Sequence, residues 1–193
     1  MTLFDGLKRI VADLTRHSVS FALIGGLAVS VRTQPRFTRD VDLSVSLIRD
    51  PEAEALTHAL IQAGYEVLGQ IEHDATARLA AVRLSPPGEP KGPVIDLMFA
   101  SSGIEAEIVS NAERLEIQPG LNVGVARLEH LIALKVLSRD DDKRPQDRAD
   151  LVALLSEADS NQLERAREAL RLITSRNNHR GKDLLREFES LLA

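Results

Sequence analysis

The sequence contains no cysteine and no tryptophan, and it has a single tyrosine. Without cysteine the protein forms no disulfide, holds no metal through thiolates and uses no cysteine nucleophile. A metal ion would therefore have to be bound by oxygen atoms or by imidazole nitrogen. The five histidines show no spacing typical of metal ligands, so we assign them no role.

The sequence also lacks long apolar segments and a positive net charge. No stretch approaches the roughly 20 apolar residues that span a bilayer. Residues 1–10 lack the basic region followed by an apolar run that a signal peptide needs, so we expect a cytoplasmic protein with no membrane partner. The formal net charge is −5, and the acidic excess lies in residues 1–126. A nucleic-acid partner is therefore possible only through a local basic patch.

The composition that remains is typical of one compact soluble unit. The chain has 193 residues, of which 44% are hydrophobic and 27% charged. Apolar periodicity predicts an α/β (α+β) fold, with a small mixed sheet flanked by helices in residues 1–126 and a helical region in residues 127–193 packed on it. We expect strands at 21–24, 40–47, 66–71, 77–84 and 94–99, and helices at 3–16, 27–31, 51–63, 127–138, 146–157, 161–173 and 181–192. Asp50, directly before Pro51, is the expected N-cap of the helix at 51–63.

Two acidic residues lie next to each other on one face of a predicted strand. In residues 40–47 polar and apolar residues alternate, so Asp40 and Asp42 point to the same side. Neighbouring carboxylates repel each other unless a cation or a proton lies between them, and Mg²⁺ prefers carboxylate oxygens. The pair therefore predicts a metal site, although solvated acids on an exposed strand face would give the same pattern.

Two further features strengthen the first interpretation. Gly25 and Gly26 follow an apolar strand and precede a helix, where backbone N–H groups can hold an anion such as a triphosphate. A tight turn between strand and helix is the simpler alternative. Asp96 lies within the apolar segment 94–99, where a charge is costly unless it is paired with a base or bound to a metal.

The ordered combination of these motifs resembles the nucleotidyltransferases that share the polymerase-beta-like fold. The string runs from Gly25-Gly26-x-Ala28 through Arg36-x-Thr38-x-Asp40-x-Asp42 to Asp96, and it is most similar to the AbiEii-type and MenT-like enzymes. Lys135 within residues 131–137 and the segment 143–151 match two further elements of those families. One departure is Gly26, since many members carry a serine there whose hydroxyl contacts a phosphate.

The resemblance implies a specific chemistry and a set of site residues. It implies transfer of a nucleoside monophosphate from an NTP to a hydroxyl acceptor, with two Mg²⁺ ions, or Mn²⁺, as cofactors. Asp40, Asp42 and Asp96 would be both the catalytic residues and the metal ligands. The implied nucleotide-binding residues are Gly25, Gly26, Arg36, Lys135 and Asp150. The implied partners are RNA, tRNA in particular, and a cognate antitoxin protein.

Three alternatives remain open from the sequence. The acceptor could be a small antibiotic-like molecule, which would make the protein an adenylyltransferase with the same chemistry. The chain could instead be a nucleotide-binding or partner-binding module without turnover, although the intact acids argue against this. Lys135 could extend from the edge of an apolar helix stripe or neutralise an internal acid such as Asp150, without contacting the triphosphate.

Overall fold

The computed structural model describes residues 1–47, 49–72, 78–140 and 145–192. Within these ranges the chain forms one seven-stranded mixed sheet and eight helices, which confirms the predicted α/β class. In chain order the elements are α1 (Leu3–Arg16), β1 (Phe21–Ile24), α2 (Gly25–Arg32), β2 (Asp40–Val45), α3 (Asp50–Gln62), β3 (Glu66–Glu72), β4 (Leu79–Ser85), β5 (Val94–Met98), α4 (Glu105–Ser110), β6 (Glu113–Gln118), β7 (Leu121–Val125), α5 (Leu128–Ser138), α6 (Pro145–Glu157), α7 (Ser160–Ser175) and α8 (Leu184–Leu192).

The strand order of the sheet is β3-β4-β5-β2-β1-β7-β6. Strands β2 and β5 pair in parallel, as do β1 and β7, and the other neighbours are antiparallel. In β2 the apolar residues Val41, Leu43 and Val45 are fully buried, whereas Asp40 and Asp42 retain some exposure. The alternation of the sequence therefore fixes which face of β2 carries the acids.

Helix α1 shows how local sequence signals define the elements around the sheet. Thr2 accepts a hydrogen bond from the backbone N–H of Asp5, and the Asp5 carboxylate accepts one from the backbone N–H of Thr2. This capping box satisfies donors at the start of the helix. Leu7, Ile10 and Leu14 recur at helical spacing and are fully buried. Helices α1, α2 and α4 contact β2, while α3 contacts β4.

Some predicted boundaries need correction. Asp50 is not the N-cap of α3, as its position before Pro51 suggested, but the first residue of the helix, and Arg49 is the cap. The Asp50 carboxylate instead accepts a hydrogen bond of 2.7 Å from the backbone N–H of Leu79. The predicted strand 77–84 starts outside the described residues, since Ala77 is not among them, and β4 is observed from Leu79 to Ser85.

The segment between β5 and α5 contains structure that the sequence interpretation missed. Strands β6 and β7 form an antiparallel hairpin, and α4 precedes them. Pro119-Gly120 between two alternating runs is a typical hairpin signal and could have revealed the pair.

The C-terminal helices form as predicted, with boundaries that differ by up to three residues from the expected ones. Helix α5 contacts α2, α6, α7 and α8, and the buried apolar residues of this region join those of the sheet in one cluster. We keep the division near residue 126 as a proposal about organisation. None of the helices in the described part of the chain has the length and apolar character that crossing a membrane requires.

Candidate active site

The three predicted acids come together on one face of the central sheet. Strands β2 and β5 are parallel neighbours, and Asp42 lies directly opposite Asp96 in their register. Asp40 lies two residues before Asp42 and on the same face. All three line a single cleft, and we refer to Asp40, Asp42 and Asp96 as the carboxylate row.

Asp42 lies in surroundings that disfavour its negative charge. Burial raises the pKa of the Asp42 carboxyl from 3.8 to about 6, and the neighbouring carboxylates of Asp96 and Asp40 add to the rise. Lys135 and a hydrogen bond from the Gly26 backbone act in the opposite direction with less effect. The row therefore carries more negative charge than its surroundings neutralise.

Asp96 has a partner that sequence reasoning did not single out. Arg83 on β4 lies opposite Asp96 in the antiparallel register of β4 and β5. Its Nε and Nη2 atoms donate to the two carboxylate oxygens of Asp96 at 2.8 and 2.7 Å. This hydrogen bonding raises the pKa of Arg83 above its ordinary value. The signal in the sequence was a single charged residue within the otherwise apolar segment Leu79–Leu84.

The row has the donor chemistry of a divalent-metal site, but it is not preassembled. In the ranges that the structure describes, no three acidic or histidine side chains are grouped to hold an ion. Both oxygens of Asp96 accept hydrogen bonds from Arg83. Carboxylate oxygens suit Mg²⁺ or Mn²⁺, and the repulsion that raises the pKa of Asp42 would be relieved by a cation. The residues present therefore fit such ions.

The glycine pair packs directly against the row. Gly25 has a φ of +64°, which side-chain-bearing residues rarely adopt, and a Cβ atom built on it would lie 2.0 Å from Oδ2 of Asp42. A Cβ atom on Gly26 would lie 2.5 Å from Nη2 of Arg36 and 3.1 Å from Oγ1 of Thr38. The Asp42 carboxylate thus fills the space beside Gly25, and Arg36 and Thr38 fill the space beside Gly26.

Comparison with known proteins identifies the family to which these features belong. A family model described as "Nucleotidyl transferase AbiEii toxin, Type IV TA system" matches residues 9–192, a range that includes the glycine turn and all three acids. The chain belongs to the AbiEii family. It is therefore a nucleotidyltransferase of a toxin–antitoxin family, with an NTP as substrate. No functionally curated protein matches the chain.

Solved structures share the fold of this AbiEii-family protein at low sequence identity. One is an antigenic nucleotidyltransferase-like protein from Paracoccidioides brasiliensis, with a TM-score of 0.53 and 20% identity over 93% of this chain and 88% of the other. Another is the lincosamide antibiotic adenylyltransferase LnuA in its lincomycin-bound form, with a TM-score of 0.52 and 16% identity over 81% of this chain and 99% of the other. These similarities show that the chain shares its fold with both proteins.

The predicted nucleotide-binding residues Arg36, Lys135 and Asp150 form a second charged group in the AbiEii-family protein. Nζ of Lys135 lies 2.7 Å from Oδ1 of Asp147 and 2.7 Å from Oδ2 of Asp150. Nε of Arg36 lies 2.7 Å from Oδ1 of Asp150. Ser138 also donates a hydrogen bond of 3.1 Å to Asp147. We call Arg36, Lys135, Asp147 and Asp150 the charged brace.

Three members of the brace, Arg36, Lys135 and Asp147, line the cleft, although Lys135 and Asp147 are largely buried. Asp150 is only 2% exposed and lies behind Arg36 and Lys135. Asp150 therefore contacts the two bases and orients them, which leaves its predicted contact with nucleotide as a hypothesis. Lys143 and Arg144, in the segment expected to join Lys135, lie outside the described residues.

The cleft that joins the row and the brace has a volume of about 1360 Å³. Sites for drug-sized ligands occupy roughly 300–1,000 Å³, so there is room for an NTP and part of an acceptor. Gly25, Gly26, Arg36 and Lys135 line one part of the cleft. Its lining also includes the apolar residues Ile71, Ala81 and Met98 and the polar residues Ser101, Asn178 and Arg180.

Proposed function

We propose that this nucleotidyltransferase moves a nucleoside monophosphate from an NTP to a hydroxyl group of RNA, tRNA foremost, within a toxin–antitoxin system. The observation that carries the proposal is the opposition of Asp42 and Asp96 on two parallel strands beside the Gly25-Gly26 turn. This arrangement combines excess carboxylate charge with a backbone turn that admits phosphate, as NMP transfer requires.

The residues of the cleft support this assignment through the roles that their positions allow. Gly25 and Gly26 are the first two residues of α2, where backbone N–H groups and the helix dipole favour an anion such as a phosphate. Arg36 and Lys135 direct positive charge into the same cleft. Asp40, Asp42 and Asp96 would hold two divalent ions, which supply charge neutralisation at the α-phosphate and activation of the acceptor hydroxyl. Asp96 would also accept the acceptor's proton as general base.

A small-molecule acceptor is the second candidate, and the charge of the protein favours it. The net charge is −5, whereas phosphate contacts with RNA require clustered basic residues. The polar side chains of Ser101, Asn178 and Arg180 near the apolar Met98 could hold a hydroxylated small molecule. A binding module without turnover is a third candidate, which the retention of all three acids disfavours.

One transfer assay separates these candidates. Purified protein and Mg²⁺ would be incubated with each α-labelled NTP, in parallel with total RNA and with hydroxylated antibiotics. We expect label in a discrete RNA band. Label on an antibiotic would favour the second candidate, and no transfer with any NTP, Mg²⁺ or Mn²⁺ would favour the binding module. Asp42→Ala is the inactive variant, and Glu168→Ala, which removes the same charge from an exposed position of α7, is its control.

The family also supports a protein partner. Its description as a toxin–antitoxin nucleotidyl transferase leads us to propose a cognate antitoxin that limits activity in the cell. Growth arrest on expression of the wild type, but not of Asp42→Ala, would support a toxic activity. Relief of that arrest by a gene adjacent to the coding sequence would identify the antitoxin, and normal growth at full expression would contradict the proposal.

A further inference from the structure

We propose that Arg83 acts as a latch that occupies the position of a divalent cation at Asp96 and is released when the metal binds. In this role Arg83 is a positioning residue, because it acts through Asp96. The proposal rests on the metal-binding role given to Asp96 in the proposed function.

The geometry of the sheet places Arg83 in line with the carboxylate row. Arg83 on β4 pairs with Asp96 on β5, and Asp96 pairs with Asp42 on β2, so the three residues form one line across adjacent strands. The guanidinium donates to both oxygens of Asp96, at 2.8 and 2.7 Å. A metal ion that uses Asp96 must therefore compete for oxygens that Arg83 already engages.

The two members of this ion pair differ in exposure. The side chain of Asp96 is 8% exposed, whereas that of Arg83 is 53% exposed. The buried carboxylate needs a positive partner whenever the metal is absent, because an unpaired buried charge is strongly unfavourable. Water solvates the half-exposed guanidinium when it leaves Asp96, so release of Arg83 carries a small penalty. Asp96 is paired with Arg83 before the exchange and with the divalent cation after it.

Two other bases that line the cleft, Lys135 and Arg36, form their ion pairs outside the row. Lys135 is shared between Asp147 and Asp150, and Arg36 pairs with Asp150. Among the residues that the structure describes, Arg83 is thus the base that forms an ion pair with a member of the row. Removal of the Arg83 guanidinium would leave the charges of Asp96 and Asp42 less neutralised. The metal-free protein would then be less stable, and its affinity for a divalent cation would be higher.

Titration with Mn²⁺ alone, followed by electron paramagnetic resonance of the free ion, tests the latch without catalysis. We expect Arg83→Gln to bind Mn²⁺ about tenfold more tightly than the wild type, and Arg83→Lys to lie between them because one ammonium replaces a two-point contact. Arg49→Gln is the control, since it removes an exposed arginine that forms an ion pair of 2.7 Å with Glu52. Its affinity should match the wild type.

Thermal unfolding supplies the second measurement. With a chelator, Arg83→Gln should melt below the wild type, and Mn²⁺ should raise its melting temperature by more than it raises that of the wild type. If Arg83 had only a structural role, its substitution would lower the melting temperature by the same amount with chelator and with Mn²⁺. If Arg83→Gln does not fold, the same comparison with Arg83→Lys decides the question.

Addition of Asp96→Asn distinguishes the latch from the proposed function. The double variant Arg83→Gln/Asp96→Asn should lose the gain in Mn²⁺ affinity. Equal affinity in the wild type, Arg83→Gln and Arg83→Lys, including binding too weak to detect in all three, would overturn the latch. Tighter Mn²⁺ binding that depends on Asp96, together with no NMP transfer to any acceptor, would overturn the proposed function and leave the latch intact.

Discussion

The carboxylate row and the charged brace are built from the same kinds of side chain, but their charge balance differs. The brace has two acids and two bases, with Asp147 and Asp150 contacted by Lys135 and Arg36 at 2.7 Å. The row has three acids, and in the described part of the chain Arg83 is the basic residue that pairs with one of them. The charges of the brace are balanced without a ligand, whereas the acid excess of the row fits our proposal that it binds cations.

The largest expected effect is on activity, through the row. Asp42→Ala should lower NMP transfer by roughly 10³-fold or more while the protein stays folded, because residues that act as a unit lose most of their effect when one is removed. Initial rates with α-labelled NTP, combined with circular dichroism, would show this. Full activity of the purified variant would remove the carboxylate row from the mechanism.

The next largest effect is on stability, through the brace. Lys135→Met should lower the free energy of unfolding by about 3–5 kcal/mol, because two buried carboxylates lose their shared partner. For a chain of this size that corresponds to a fall in melting temperature of roughly 2–4 °C per kcal/mol. Urea unfolding and NTP binding would be measured on the same variant, with Lys135→Arg as the variant that keeps the charge.

The opposite result would reassign Lys135. A Lys135→Met protein that is as stable as the wild type but binds NTP ten- to a hundredfold more weakly would show that the lysine serves the triphosphate. Reduced stability with unchanged NTP affinity would restrict it to the brace.

A third prediction concerns the pH dependence of the metal-free row. Because the pKa of Asp42 is raised from 3.8 to about 6, the folded protein holds this proton more tightly than the unfolded chain. The resulting stability is fully present below pH 3.8 and is lost as the pH rises through about 6. The loss is at most about 3 kcal/mol at 1.36 kcal/mol per pKa unit, and less where cleft water screens the charge.

Asp42→Asn isolates this contribution. In chelator, the difference in unfolding free energy between Asp42→Asn and the wild type should grow in favour of the variant between pH 4 and pH 7. Mn²⁺ should remove the difference by stabilising the wild type. A difference that is constant with pH would show that Asp42 has an ordinary pKa.

The smallest effect is expected at the border between the two groups. Gly26→Ser should lower the free energy of unfolding by about 1–2 kcal/mol, since its Cβ would lie against the Arg36 guanidinium, which must shift and loosen one of its contacts with Asp150. NTP affinity should change severalfold as Arg36 moves. Gly25→Ala is the contrasting variant, because both its φ of +64° and the Asp42 carboxylate oppose a side chain. An equal loss of unfolding free energy in the two variants would mean that Gly25 does not determine the position of the Asp42 carboxylate.

The sequence predicted one part of this site because that part depends on local geometry. Alternation in residues 40–47 placed Asp40 and Asp42 on one face, and the glycine pair marked the turn beside them. The register that brings Asp96 opposite Asp42 depends on which strands pair, and no local pattern contains that information. Arg83 was missed for the same reason, since its role arises only when β4 lies next to β5.

Local rules also failed where a distant contact outweighed them. Asp50 precedes Pro51 at a position suited to an N-cap, yet its carboxylate accepts the backbone N–H of Leu79 on β4. The charged residues of the brace follow the same principle. Lys135 and the segment 143–151 were recognised in the sequence, but the direct pairing of Lys135 with Asp147 required the packing of α5 against α6.

The parallel pairing of β2 and β5 affects the order in which the protein folds during synthesis. Asp42 can meet Asp96 only after α3, β3 and β4 have been made and the chain has returned to the middle of the sheet. Contacts between residues so distant in sequence form late, because closure of the intervening loop costs entropy. A nascent chain that ends before β5 would therefore hold two of the three acids of the carboxylate row, and Arg36 alone of the four residues of the brace. Both groups are complete only after α6 has been synthesised, so the proposed transfer activity would begin late in synthesis.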